Sequence, residues 1–132
     1  MSQENVQLAK KAYEAFNRRD VDAFADLCDP EVEFVSLIAE SEGEVFRGHE
    51  GVRSFFRQQD EAFDRISAEI EEIIESGDFL ILGVFFRAHG RESGVPVEQH
   101  MWQAGRFRAN RVVWWKVCRT REEALEAAGL SE

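Results

Sequence analysis

Two spacings of apolar residues divide this chain. In the first stretch the period is three and four: Leu8, Ala9, Ala12, Tyr13 and Phe16 make one stripe, with Lys10, Lys11 and Glu14 opposite. That pattern predicts a helix over 3–17, ended at Arg18-Arg19. Asp20 offers an N-cap to a short second helix whose Val21, Phe24, Leu27 and Cys28 share a face. Asp29-Pro30 stops that helix and launches a strand over 31–38. Residues 39–48 read as an acidic loop carrying Glu40, Glu42 and Glu44, with room for a short strand over 44–47.

Gly48 precedes a third helix that runs to about 65, with Val52, Phe55, Phe56, Gln59 and Phe63 on one stripe. The period then shortens. Over 66–76 Glu69, Glu71 and Glu75 take the polar side of Ala68, Ile70 and Ile74, a pattern that a helix could also carry. The Gly77-Asp78 turn and an apolar strand over 79–88 favour a hairpin. Gly90 and Gly94 bracket the next turn, into a long hairpin of 97–108 and 111–119 joined at Ala109-Asn110. Its second arm, Val112-Val113-Trp114-Trp115-Lys116-Val117-Cys118, is apolar on both faces and must be covered on both sides. Thr120 and Glu123 have capping-box spacing for a last helix over 121–128, closed by Gly129. Helices segregate from a mostly antiparallel sheet, which makes the fold class α+β in one domain, 1–132.

Composition narrows the partners. There are 16 basic and 26 acidic residues, a formal net charge of −10. Such a surface repels phosphate backbones and anionic lipid, so neither nucleic acid nor membrane is expected as a partner. No run reaches transmembrane length, and Met1-Ser2-Gln3-Glu4 lacks a basic region followed by an apolar one, so a cytoplasmic location is expected. Cys28 and Cys118 stand apart in apolar segments and read as small buried hydrophobes. Eleven Phe and three Trp point to a thick core, a cavity or a subunit contact.

Several strings resemble the SnoaL-like branch of the nuclear transport factor 2-like (NTF2-like) superfamily: Ala12-Tyr-Glu-Ala-Phe-Asn-Arg-Arg-Asp20, Gly48-His-Glu-Gly-Val-Arg-Ser-Phe-Phe56, Gly77-Asp78, Asn110-Arg-Val-Val113 and Glu123-Ala-Leu-Glu-Ala-Ala-Gly-Leu130. The resemblance implies a strongly curved sheet rolled into a cone, helices closing one side and a deep pocket between them. Relatives include ketosteroid isomerases, polyketide cyclases, epoxide hydrolases and dehydratases, as well as non-catalytic binding modules, so the fold alone does not set the activity.

Carried over residue by residue, the acid–base set of the isomerase relatives is incomplete. Ser36 stands where they place a carboxylate base, and a hydroxyl cannot take a proton from carbon at neutral pH without a base beside it. Gln103 stands near their acidic hydrogen-bond donor, and their oxyanion tyrosine aligns with Ala12, one residue from Tyr13. Where many SnoaL-like chains carry an Asp after the last strand, this one reads Arg119-Thr120.

By the same alignment and strand alternation, Val113, Trp115, Val117 and Arg119 point into the cone with Leu82, Val84, Phe86, Gln99, Met101 and Gln103. Ile81, Phe85, Trp102, Trp114 and Cys118 face outward, an apolar surface that implies a homodimer through the outer sheet face. The expected cavity is lined by Phe56, Phe86, Met101, Trp115 and Val117, with Gln103, Arg119, Ser36 and Tyr13 as its polar groups. Pointing inward, Arg119 would favour ligands with one acidic or carbonyl end; the alternative of equal weight is a rim arginine paired with the acidic loop around Glu42.

Glu98 and His100 share a strand face with His89 across the hairpin, a grouping that could hold a metal. That face is the outer one and Arg87 beside Glu98 neutralises it, so no metal and no cofactor is expected. His49 reads as a surface residue at a helix start. Two functions remain open at this point. One is an isomerase, lyase, cyclase or hydrolase acting on a small, mostly apolar or amphipathic molecule. The other is a dimeric module that binds such a molecule, or only assembles, without turnover.

Overall fold

The computed structural model describes residues 2–36 and 45–130. The expected strand end at Ile38 and the acids Glu40, Glu42 and Glu44 lie outside the described residues. Within them the order is α1 (Ser2–Asn17), α2 (Val21–Asp26), β1 (Cys28–Val35), β2 (Phe46–Arg47), α3 (Gly48–Ala62), β3 (Phe63–Ser76), β4 (Phe79–Gly90), β5 (Pro96–Arg108), β6 (Arg111–Cys118) and α4 (Arg121–Ala127). One six-stranded sheet runs β2-β1-β6-β5-β4-β3. Every neighbouring pair is antiparallel except β1 and β6, which run parallel.

Local chemistry explains most boundaries. Asp20 caps α2, its carboxylate accepting from the Ala23 amide at 3.1 Å. Ala109 and Asn110 both take positive φ, 52° and 62°, the two-residue turn whose twist suits an antiparallel hairpin. Arg106 Nε donates to Asp78 at 3.0 Å and ties β5 to the β3–β4 turn, holding the Asp78 carboxyl below its usual range.

Other boundaries depart from the sequence reading. Cys28 opens β1 instead of completing the apolar face of α2, because the chain joins β6 there: Cys28 pairs with Val112, and the Val112 amide donates to Leu27 O at 2.9 Å. Pro30 falls within β1, in the irregular stretch between Cys28 and Glu33, where no regular ladder bond is lost. α3 stops at Ala62, and Phe63 begins a strand, since β4 extends far enough to pair Gly90 with Phe63. His49 is half-buried and bonds through Nε2 to the Cys28 carbonyl at 2.9 Å, so it fastens α3 to β1. Ile74 lies on the outer face, across from Ile81, because an extra residue between Ile70 and Glu72 reverses the alternation.

The sheet is apolar on its inner face and on part of its outer face, and helices pack on both. The inner face packs under α1, α2 and α3, with Phe34, Leu82, Val84, Phe107, Val112 and Trp115 in one buried cluster. Outside, α4 lays Ala124, Leu125 and Ala128 over Ile81, Ala104 and Cys118, with Trp102, Trp114 and Phe79 half-buried around them. The outer aromatic surface inferred from the strand pattern is therefore largely covered by the chain's own last helix. The edge strand β3 is also protected: Asn17 donates to Ala68 O at 2.9 Å and accepts from Ala68 N at 2.8 Å, standing in for a neighbouring strand.

Thr120 Oγ1 accepts from the Glu123 amide at 3.1 Å, while the Glu123 carboxylate reaches back to the Arg119 amide at 3.0 Å. Thr120→Ala should lower stability by about 1 kcal/mol in urea unfolding without changing the slope of the transition. An unchanged midpoint would show that docking onto the sheet, not the cap, holds α4.

Candidate functional site

Between the concave inner face of the sheet and the helices lies a cavity of about 390 Å³. Small-molecule sites typically fall between roughly 300 and 1,000 Å³. Its walls come from every layer: Ala12, Tyr13 and Phe16 of α1, Phe24 of α2, Phe34 at the end of β1 and Phe55 of α3, with Phe63 and Ala68 of β3. Val84 and Phe86 of β4, Val97, Met101 and Gln103 of β5, and Trp115 and Val117 of β6 complete the inner surface. Ser36, Gln58, Gln59 and Gln99 add polar groups, and Gln58 and Gln99 are exposed enough to mark the mouth.

Strand register sets this arrangement. Reading across β3, β4, β5 and β6, the inner face has Ile73, Leu82, Gln103 and Val117 in one row. The next row is Ile70, Val84 and Met101, and the one after it Ala68, Phe86 and Gln99. Trp115 is 6% exposed and sits opposite Gly105, where an added Cβ would come within 2.8 Å of the indole ring. The parallel pairing of β1 and β6 brings Phe34 beside Trp115, the two rings stacked at 17° with centroids 6.2 Å apart. Tyr13 reaches the same indole from α1, at 6.1 Å.

The structure separates the sequence candidates. Tyr13, Ser36, Phe86, Met101, Gln103, Trp115 and Val117 meet around the cavity. Phe56 is 3% exposed but lies behind the wall, packed against Phe16 and Phe24, and Phe55 takes the lining position one residue earlier, about 100° round the helix. Arg119 is not part of the cavity: it lies beyond the end of β6, exposed, where its amide serves the α4 cap. Val113 does not face in either. An extra residue between Trp114 and Val112 in the pairing with β5 makes Val112 the buried inward residue.

One neighbour of the cavity was legible only as a helix end. Arg19, at φ 56°, lays its guanidinium against the Phe16 and Phe56 rings, 4.8 and 4.5 Å from their centroids. It pairs with Asp60 at 3.0 Å and donates to the Gln59 amide oxygen at 3.3 Å, which fixes Gln59 at the cavity wall. Burial pulls the Arg19 pKa down, against the opposing effect of Asp60. A helix-ending Arg in sequence carries no signal of such a contact.

On the outer face, His100 Nδ1 lies 2.8 Å from a Glu71 oxygen and Arg87 lies 3.9 Å from Glu98, while His89 sits two rows away opposite Pro96. Among the described residues no three His, Cys, Asp or Glu side chains group as a metal site. Cys28 is buried, and burial pushes its thiol up to about 12, so it is a poor nucleophile.

Among the described residues the cavity lining is chemically neutral. Tyr13 is the single titratable side chain among the described lining residues, and burial raises its pKa well above the usual phenol value, so it stays protonated. The other polar groups are four glutamine amides and the Ser36 hydroxyl. Such a set can orient a ligand and polarise it by hydrogen bonds, but supplies no carboxylate or imidazole base.

A curved, mostly antiparallel sheet closed by helices around one cavity defines an NTF2-like cone. The SnoaL-like domain family matches residues 9–115, and this chain belongs to that family. No curated protein matches the sequence. Among solved structures it is similar to an NTF2-like protein of unknown function from Burkholderia pseudomallei, with TM-score 0.79, 23% identity and coverage of 93% of this chain and 95% of the other. It is also similar to a protein from Jannaschia sp. named as a candidate SnoaL-like polyketide cyclase, with TM-score 0.77, 14% identity and coverage of 88% and 85%. A third is IdmH from Streptomyces antibioticus, likewise named as a candidate polyketide cyclase, with TM-score 0.74, 21% identity and coverage of 95% and 98%. Identities this low show a shared fold and nothing about substrate.

The Tyr13 hydroxyl is buried with no hydrogen-bond partner among the described residues. An unsatisfied buried hydroxyl costs free energy in the empty protein, so Tyr13→Phe should raise stability, by about 1 kcal/mol. Thermal unfolding of the two proteins without ligand tests this, and a clear loss of stability would mean that the hydroxyl is satisfied in solution.

Proposed function

We propose that this SnoaL-like protein binds a small, mostly apolar molecule in the cone and orients it with neutral hydrogen bonds. The observation that carries the reading is the cavity's composition: phenyl and indole rings on most walls, and amides and hydroxyls at isolated points. Rings of a flat ligand would lie against Phe34 and Trp115, whose stacked faces already share one orientation. The sequence-level preference for an acidic ligand rested on Arg119, and with that residue outside the cavity the preference goes with it.

A cyclase or isomerase is the second reading, favoured by the similarity to proteins named as candidate polyketide cyclases. Here it would have to act by holding a reactive chain in a folded shape and polarising its carbonyls through Tyr13, Gln103 or Ser36. Incubation with flat aromatic ketones and phenols, followed by calorimetry and mass spectrometry, separates the two readings. Binding without new products supports the module, and product formation supports the enzyme. Met101→Trp, which places an indole in the middle of the cavity, should weaken binding at least about tenfold while the protein stays folded. Undiminished binding in that variant would move the ligand site elsewhere.

We propose further that two copies pair through the part of the outer face that α4 leaves open, around half-buried Phe85 and Trp102 and exposed His100. Sedimentation at micromolar concentration should give twice the 15.2 kDa chain mass. A monomer under those conditions would refute the pairing.

A further inference from the structure

Gln59 stands on α3 one turn before the helix ends, where its backbone carbonyl accepts from the Phe63 amide. Its side chain meets two different surroundings. One is the cavity, whose wall Gln59 forms with Gln58, Ala62 and Phe63. The other is Arg19, which lies outside the lining, on the Phe16 and Phe56 rings, and reaches Asp60 at 3.0 Å and the Phe56 carbonyl at 3.4 Å. A guanidinium carries only donors, so the 3.3 Å bond from Arg19 to this amide fixes the end that it meets, the oxygen. Turned over, the amide would set N–H against N–H. Among the described residues nothing accepts from the Gln59 nitrogen, and that nitrogen is not one of the atoms buried without a partner, so it keeps contact with open space. The bond from a charged donor also polarises the amide, which makes its N–H groups stronger donors. The positive charge of Arg19 therefore acts at the wall through a neutral group.

We propose that Gln59 is a specificity-determining residue of the cavity, an N–H donor that Arg19 holds ready for an acceptor atom of a neutral ligand. Arg19 touches no ligand and is the positioning residue. A free glutamine amide can serve a ligand as donor or as acceptor, but here the acceptor end is already taken. At this end of the cavity an acceptor group is therefore preferred to an apolar group of the same shape, and a group that can only donate gains nothing from Gln59. The inference rests on the reading of the cone as a ligand cavity and goes past it in assigning one polar contact and its direction.

The test is calorimetry at pH 7 with 2-acetylnaphthalene and 2-isopropenylnaphthalene, which share a shape and differ in the acceptor oxygen, the protein being titrated into each. The ketone should bind the native chain about fivefold more tightly, the size of effect that one neutral hydrogen bond gives. Gln59→Glu keeps an acceptor for Arg19 and removes the donor, so it should bring the two affinities within about twofold or reverse their order. The hydrocarbon itself should stay within about twofold of its affinity for the native chain. Arg19→Leu releases the amide and should lower the ketone advantage to about twofold, whereas a loss of packing alone would weaken both compounds and leave their ratio unchanged. Equal binding of the two by the native chain, or an advantage that survives Gln59→Glu, overturns the inference while the cone still stands as a ligand cavity. A full advantage in Arg19→Leu overturns the positioning role. If neither compound binds the native chain, the cavity reading falls and this inference falls with it. Gln59→Met, which removes the donor without adding charge, decides the matter where Gln59→Glu does not fold.

Discussion

Trp115 needs space on a surface where neighbouring strands are closely spaced, and much of the inner face is arranged to give it. An indole on a central strand cannot lie flat over a neighbour that has its own side chain at the paired position. Gly105 fills that position, and the ring crosses it at a distance that even a methyl group would close. Once the indole lies there, it becomes the meeting point of Tyr13 from α1, Phe34 from β1 and Phe107 from β5. The outer face repeats the device, where Trp102 lies across Gly83.

Curvature provides the second condition. A flat sheet of this length could not enclose a cavity beneath three helices. Irregular pairings in β1, β3 and between β5 and β6 each add residues to one strand and bend it. Each also resets which residues face inward. Ile74 moves to the outer face, where it packs in the cluster under α4, and Val112 replaces Val113 inside. The same bends that shape the cavity thus decide its lining.

Polarity is distributed unevenly as a result. The chain is strongly acidic, yet among the described lining residues the cavity holds only neutral polar groups. Behind its wall Arg19 pairs with Asp60 while its guanidinium rests on two phenyl rings, although its Nη1 finds no hydrogen-bond partner among the described residues. Its hydrogen bond to Gln59 connects that pair to the wall without putting a charge inside. A buried charge is tolerable where a partner and several contacts compensate its lost hydration, and that compensation is found behind the wall.

How much of this was legible in the sequence follows from the range of the interactions involved. The helix stripes, the Asp20 and Thr120 caps, the Ala109-Asn110 turn and the two-faced β6 depend on residues within a few positions of one another, so the pattern alone determined them. The cone was expected from the resemblance that strings along nearly the whole chain carry, and from no local period. Cys28 joining a strand, α3 ending at Ala62 and Val112 displacing Val113 depend on a partner strand far away in sequence, and no local period records a bulge. Arg119 shows the consequence for the site. Extending the alternation of β6 one step beyond Cys118 would aim it inward, but the strand ends there and the α4 cap takes its backbone outward. Gln103 and Tyr13 could be named from the sequence as polar groups of a cavity. That the Tyr13 hydroxyl and the Gln103 amide oxygen would find no partner, and the cavity no charge, among the described residues was decided only when helix and sheet closed over each other.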